Sequence, residues 1–223
     1  VSGNASPRGG ALFCADTGAI NINYCTITDN DASLWGGGMY LISDHHAYLT
    51  HTILAGNTSA GDADFSTSQR RVHSNGYNVI GDHIDPWFGI PAGSPNANND
   101  YVGTTANPMD PLLHPLEIYG GATPTHALQS GSPAHNNGAS TSSVITDQRG
   151  SQRPDGSTDT DIGAFEGVVT PTTVYNSNDS GPGSLRDAIS NVGSFGSVRF
   201  HTLVRCVKPN GTETVSYTHL RAH

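Results

Sequence analysis

The sequence predicts an all-β fold of short strands stacked in layers, a parallel β-helix, and three observations predict it. First, one block recurs with a nearly fixed spacing: Val1-Ser-Gly-Asn4 is answered by Ile27-Thr-Asp-Asn30 and by Leu54-Ala-Gly-Asn57, at intervals of 26 and 27 residues. Fixed-period self-similarity marks units that bury their apolar faces only against one another. Second, the runs between the anchors, Ala19-Ile-Asn-Ile-Asn-Tyr-Cys-Thr-Ile27 and Ala47-Tyr-Leu-Thr-His-Thr-Ile-Leu54, alternate with strand rather than helix periodicity. Third, Gly9-Gly10, Gly36-Gly-Gly38 and the Gly-Asn or Asp-Asn steps at 3–4, 29–30 and 56–57 supply the positive φ of sharp corners.

Taken in order, residues 1–95 form the coils, with excursions at 58–75 and 82–100. Alternation turns Ile20, Ile22, Ile27, Leu49, one of Ile53 and Leu54, Val79 and Ile80 inward. Asn4, Asn30 and Asn57 are expected at one corner, their amides stacked in a ladder. Residues 96–167, rich in Pro-fixed turns and poor in strands, form the last coils and a cap over the open end of the core. Residues 168–173 are a linker. Over 174–203 a new unit begins: Ser184 and Asp187 make a capping-box-like pair, and Leu185, Ala188, Ile189 and Val192 form one apolar stripe ended by Gly193. Ser197–Phe200 reads as the strand that follows.

These blocks resemble those of secreted bacterial right-handed parallel β-helix proteins of the pectin-lyase-like fold. The likeness runs through His73-Ser-Asn-Gly-Tyr-Asn-Val-Ile-Gly81, Asn107-Pro-Met-Asp-Pro-Leu-Leu113, Gly120-Gly-Ala-Thr-Pro-Thr-His-Ala-Leu128 and Gly131-Ser-Pro-Ala134. It is most specific in Thr146-Asp-Gln-Arg-Gly150, Arg153-Pro154 and Asp161-Ile-Gly-Ala-Phe-Glu166, which resemble the terminal block of choice-of-anchor Q proteins. His135-Asn-Asn137 and Glu117-Ile-Tyr119 depart from the family's usual loops. The resemblance implies an extracellular or cell-surface location. It also implies structural roles for Arg149, Arg153, Asp161 and Phe165, with Arg149 bonding Asp161 or nearby carbonyls and Phe165 packing on the core end. Residues 174–203 resemble the cap that opens a further β-helix, so the chain is expected to be a monomeric module of a tandem protein, beginning in mid-repeat at Val1.

Residues 204–223 break the pattern. They hold Lys208, the single lysine, and their end resembles a translated sequencing adapter, so they are read as non-native. The remaining composition agrees with a loop-rich β protein: 35% hydrophobic residues, 27 Gly and 13 Pro in 223 residues. A net charge of −9 disfavours nucleic acid and anionic membranes as partners, and no run has the length of a transmembrane helix. Cys14 and Cys25 either pair across a coil or, as such residues more often do, serve as small core side chains.

Chemistry is sparser. Lyase-type elimination needs a basic residue beside a bound cation, and the nearest cluster is Arg70 or Arg71 with Asp62 and Asp64, in a loop better read as solvated. Hydrolysis needs two carboxylates at a set separation. Asp29 and Asp31 sit at a turn, and in Asp44-His45-His46 adjacent side chains point to opposite faces. Asp155, Asp159 and Asp161 are hard donors that could chelate Ca²⁺, but they lack a Gly-positioned loop, so turn-forming acids partnered by Arg149 or Arg153 are preferred and no cofactor is expected. His126 reads as a buried, backbone-bonded histidine. Trp35, Tyr40, Tyr48 and Asp44, with Trp87 and Phe88, are candidates for a carbohydrate groove. The function expected is a non-catalytic scaffold for adhesion or for binding a polysaccharide or cell-surface glycan. The alternative is a piece of a polysaccharide lyase or glycoside hydrolase whose active coils lie elsewhere.

Overall fold

Short alternating runs closed by Gly and Asn corners give the chain many strands of two to six residues. The computed structural model describes residues 1–42, 44–67, 71–82, 90–141 and 143–169, with 172–174, 180, 184–191, 198–200, 206–207 and 214–215 beyond them. The first twelve strands fall into three layers. Layer one holds β1 (Ala5–Arg8), β2 (Leu12–Cys14), β3 (Gly18–Asn23) and β4 (Thr26–Ile27). Layer two holds β5 (Asp31–Trp35), β6 (Met39–Leu41), β7 (His45–Thr50) and β8 (Ile53–Leu54). Layer three holds β9 (Thr58–Ser59), β10 (Phe65–Thr67), β11 (Val72–Ser74) and β12 (Val79–Ile80), and β13 (Tyr101–Val102) adds a fourth strand under β12.

Every strand of one layer pairs in parallel with its counterpart in the next, giving sheets β1-β5-β9, β2-β6-β10, β3-β7-β11 and β4-β8-β12-β13. The molecule is therefore all-β in its layered part, with parallel sheets that the chain visits in the same order three times. Alternation then builds continuous columns. Leu12, Met39 and Phe65 are partners in one sheet, Ile20, Ala47 and Val72 in the next, and Ile27, Leu54, Ile80 and Val102 in the last. Together with Ile22, Leu41, Leu49 and Ile90 they make one apolar core. Leu12 and Ile20 are only partly buried, because layer one has a neighbour on one side alone.

The corners are held by polar columns. The Asn30 backbone N–H and its Nδ2 both donate to Asn57 Oδ1, at 3.1 and 2.9 Å, and Asn4 repeats the two bonds to Asn30 Oδ1. The ladder runs in one direction, so its last amide needs an acceptor. Asp64 provides it, taking Asn57 N and Nδ2 at 3.0 Å on Oδ1 and Asp82 N on Oδ2. Burial pushes the Asp64 carboxyl up to about 6, against the pull of those N–H donors. A second column, which the sequence did not disclose, links Cys25 N to Thr52 Oγ1, Thr52 N to Asn78 Oδ1, and Asn78 N and Nδ2 to Asp100 Oδ1. It too ends on a buried carboxylate. Gly9 and Gly36 turn the same corner in successive layers with φ near +62° and +63°, where a Cβ would lie about 2 Å from the carbonyls of Leu12 and Met39.

Leu54 is the one of the Ile53–Leu54 pair that faces the layered core, as one of the two is expected to. Ile53 therefore points out of the last sheet, and so does Val79, which is expected in the interior; a second core covers both from the side with Tyr119, Ala127, Leu128, Ala134, Ile162, Phe165 and Val169. A sheet whose two-residue strands are apolar at both positions requires cover on both faces. The terminal block spans layers as it does so: Ala164 N bonds Thr26 Oγ1 and Gly163 N bonds the His51 carbonyl.

Of the two partners expected for Arg149, it takes the nearby carbonyls and not Asp161, and it adds an acid of its own turn. Its guanidinium pairs with Asp147 at 2.7 Å, caps the carbonyls of Tyr119 and Glu166, and lies 3.4 Å over the Phe165 ring. Asp161 instead faces Asn136 N and Gly167 N, while Arg153 takes the Asp161 and Gly163 carbonyls and the Glu166 carboxylate. The cause is local: Asp147 and Arg149 occupy one turn, within reach of each other before any distant acid. Cys14 and Cys25 are free thiols, partly buried, and burial pushes both above the ordinary thiol range.

Further on, β14 (Thr172–Val174) pairs in parallel with β15 (Val198–Phe200), and helix α1 (Leu185–Asn191) lies between them in the chain. Ser184 caps it, its Oγ accepting Asp187 N at 3.1 Å. The apolar stripe is narrower than its pattern, with Ala188 buried, Leu185 half-buried and Ile189 exposed. Val192, Gly193 and Ser197 lie outside the described residues. Within 204–223, β16 (Cys206–Val207) and β17 (Thr214–Val215) pair antiparallel. No helix among the described residues is long and apolar enough to cross a membrane.

Two outcomes are expected in urea denaturation of the full chain. Asn30→Ala should cost about 2–4 kcal/mol, because it strands the Asn4 donors and removes a fully buried link, whereas the same change at exposed Asn4 should cost under about 1 kcal/mol. Equal effects would show that the ladder contributes nothing beyond its backbone. Arg149→Ala should cost about 3–5 kcal/mol by leaving Asp147 buried without its cation, and an unchanged midpoint would remove the structural role.

Candidate functional site

Alternation along β7 turns Ala47 and Leu49 into the core and therefore presents His46, Tyr48 and Thr50 on the opposite face. The register carries that face across three layers. Ala19 pairs with His46, Asn21 with Tyr48 and Tyr48 with His73, while Asn23 pairs with Thr50. Asn75 extends the last row, its Nδ2 reaching Thr50 Oγ1 at 3.3 Å. The outer face of β3-β7-β11 is thus a surface of aromatic rings, amides and hydroxyls on rigid parallel strands.

Its centre is a three-ring cluster. His46 Nδ1 and His73 Nε2 stand 2.8 Å apart, so one imidazole donates to the other. The Tyr48 ring lies 4.8 Å from His73 in a near-parallel stack. Partial burial, and then the neighbouring His46, lower the His73 pKa. At the edge of the face Asp44 and Arg71, each the residue before a strand, form an ion pair at 3.2 Å. Arg71 is buried and Asp44 is largely exposed, so the acid screens a cation lodged in the wall.

Of the expected groove residues, Tyr48 and Asp44 belong to this face, but Trp35 and Tyr40 do not. Tyr40 projects from β6 and stacks on exposed Phe13, the two rings within 7° of parallel. Trp35 ends β5 opposite Arg8, with its ring against Gly61. A corner at 36–38 separates β5 from β6, and β5, β6 and β7 belong to three different sheets, so neighbours in sequence part company. Trp87, Phe88 and Arg70 lie outside the described residues.

The acids singled out for chemistry disperse. Asp64 is consumed by the ladder, so the lyase-like cluster with Arg71 does not assemble. Asp31 accepts Thr58 Oγ1 at 2.6 Å, while Asp29 faces His126 across 3.8 Å. The His126 ring is buried and its Nδ1 meets the His114 carbonyl. Asp161 is taken up by backbone donors, and burial raises its pKa. Among the described residues no group of three or more His, Cys, Asp or Glu is arranged to hold a metal ion.

Sequence reasoning missed His73 in the cluster and, behind the sheet, a column of Tyr24, His51 and Tyr77. These three share a left-handed backbone, with φ of 50°, 48° and 59°, and their rings stack at 4.4 and 4.8 Å. The signal was present: His51 follows Tyr24 by 27 residues and precedes Tyr77 by 26.

The ion pair separates packing from charge. Asp44→Asn should shift stability by about 0–1 kcal/mol, since the acid is exposed. Arg71→Ala should cost about 2 kcal/mol, since it empties a buried slot. Thermal melts of the two variants check this, and a larger loss for Asp44→Asn would mean that the pair acts through its charge.

No family model, no curated protein and no solved structure matches this chain.

Proposed function

We propose that the chain is a right-handed parallel β-helix of the pectin-lyase-like kind with a choice-of-anchor Q type terminal block. In this proposal it serves outside the cell or at its surface as a non-catalytic scaffold that binds carbohydrate. The return of the chain to the same four parallel sheets at intervals of 26 and 27 residues supports the architecture. The observation that carries the function is the outer face of β3-β7-β11. It offers a Tyr48–His73 ring stack, Asn21, Asn23, Thr50 and Asn75 at regular strand spacing, and its strong charges are already paired as Asp44–Arg71. Rings and uncharged hydrogen-bonding groups held on a rigid sheet suit a ligand that is itself planar-faced and rich in hydroxyls.

The acids support a scaffold rather than an enzyme by their positive use. Asp64 and Asp100 terminate ladders, Asp147 and Glu166 hold arginines, and Asp161 holds a turn. General acid–base catalysis instead needs a carboxyl facing a ligand.

The test is binding of the full chain to a panel of neutral and acidic polysaccharides, followed by isothermal titration with those retained. A retained glycan should bind roughly tenfold more weakly to Tyr48→Ala and to His73→Ala, about 1.4 kcal/mol each, with the melting temperature little changed. The same glycans should yield neither unsaturated products nor new reducing ends. Failure to retain any glycan would remove the carbohydrate reading, and turnover abolished by changes at Asp31, Asp44 or Arg71 would favour a lyase or hydrolase.

A further inference from the structure

We infer that His51 is an acid-sensitive latch that fastens the terminal block to the layered sheets. The ring is buried between Tyr24 and Tyr77, and the residue meets the block through two hydrogen bonds of 2.8 Å, one to the ring and one to the backbone. In one, Ala139 N donates to His51 Nε2; in the other, Gly163 N donates to the His51 carbonyl. Because Nε2 accepts, the ring proton sits on Nδ1 and the imidazole is neutral. Gly138 lies over the ring edge, where an added Cβ would stand 3.0 Å from Cδ2.

A second proton has one place to go, Nε2, and there it would confront the Ala139 N–H with another donor. The new charge would also face Arg153, whose guanidinium lies 4.8 Å over the Tyr24 ring. The other titratable groups around the junction are the Tyr24 and Tyr77 phenols on either side, Glu166 bonded to Arg153, and Asp161 with His135 beyond it. Burial, followed by Arg153, lowers the His51 pKa from an ordinary 6.5 to about 4.

The sign follows. Below pH 6.5 the undocked block leaves His51 free to take a proton that the docked block refuses, so docking weakens as pH falls and the loss is complete below about pH 4. Glu166 works in the opposite sense: burial raises it to about 7, so acidification relieves a buried charge. Both effects bear on docking of the same block, so the His51 contribution is read as the difference between the parent chain and a variant without the titrating ring.

The experiment is amide exchange by NMR on the full chain at pH 7 and pH 4.5, corrected for intrinsic rates. Relative to His51→Gln, protection of Ala139 and Gly163 in the parent chain should fall by tens-fold between the two pH values, roughly 60-fold from the two pKa values, while Ile22 and Leu49 inside the stack keep theirs in both. His51→Gln retains an acceptor but cannot be protonated, so its protection carries only the Glu166 effect. The same change with pH in the parent chain and in His51→Gln would overturn the latch. Should that variant fail to fold, direct titration of the His51 ring in the parent decides: a midpoint near 6.5 with Ala139 still protected would overturn it as well.

Discussion

The layer-to-layer register is the constraint on which the rest depends. Parallel pairing fixes each residue of one layer beside a single residue of the next, and side chains alternate faces with period two. A slip of one residue between β3 and β7 would carry Ile20 and Ile22 out of the core and bring Asn21 and Asn23 into it. The backbone alone distinguishes such registers poorly, because its hydrogen bonds are restored by any shift. The Asn4–Asn30–Asn57–Asp64 ladder distinguishes them well. Asn30, Asn57 and Asp64 are buried and each bonds the next, so a slipped layer would strand their donors and acceptors away from water.

The same directional chemistry explains two buried carboxylates. An amide passes a hydrogen bond along the stack, whereas a carboxylate only accepts and so brings the row to an end. Asp64 and Asp100 each receive two donors from the last asparagine of a column. At Asp64 those donors oppose the cost of desolvation only in part, since burial still raises its pKa to about 6.

Burial on the two faces of the last sheet divides the molecule's work. One face of β4-β8-β12-β13 completes the layered core through Ile27, Leu54, Ile80 and Val102. The other recruits the terminal block through Ile53 and Val79, and it is there that Arg149, Arg153 and His51 gather. On the outer face of β3-β7-β11 Asn21 and Asn23 are exposed and His46, Tyr48, Thr50 and His73 half-buried, and on these polar and aromatic side chains the proposed function rests. Structural charge is thus concentrated at the block, and uncharged hydrogen-bonding groups on the open sheet.

The sequence by itself determined what depends on period and local geometry. Spacing of Asn4, Asn30 and Asn57 disclosed the layers, alternation disclosed Ile22, Leu49 and Ile80 as core, and Ser184 disclosed the start of α1. Only the tertiary structure decided which face of a doubly apolar strand looks inward, since Ile53 and Leu54 are equivalent in pattern and differ in what covers them. It also decided that Trp35 and Tyr40 part company with Tyr48, because β5, β6 and β7 belong to three different sheets. It paired Arg149 with Asp147 rather than Asp161, and it made Asp64 a ladder terminus rather than a reactive acid. Charge partners and site clusters arise from residues brought together across layers, and sequence distance carries no information about that approach unless the repeat itself supplies it.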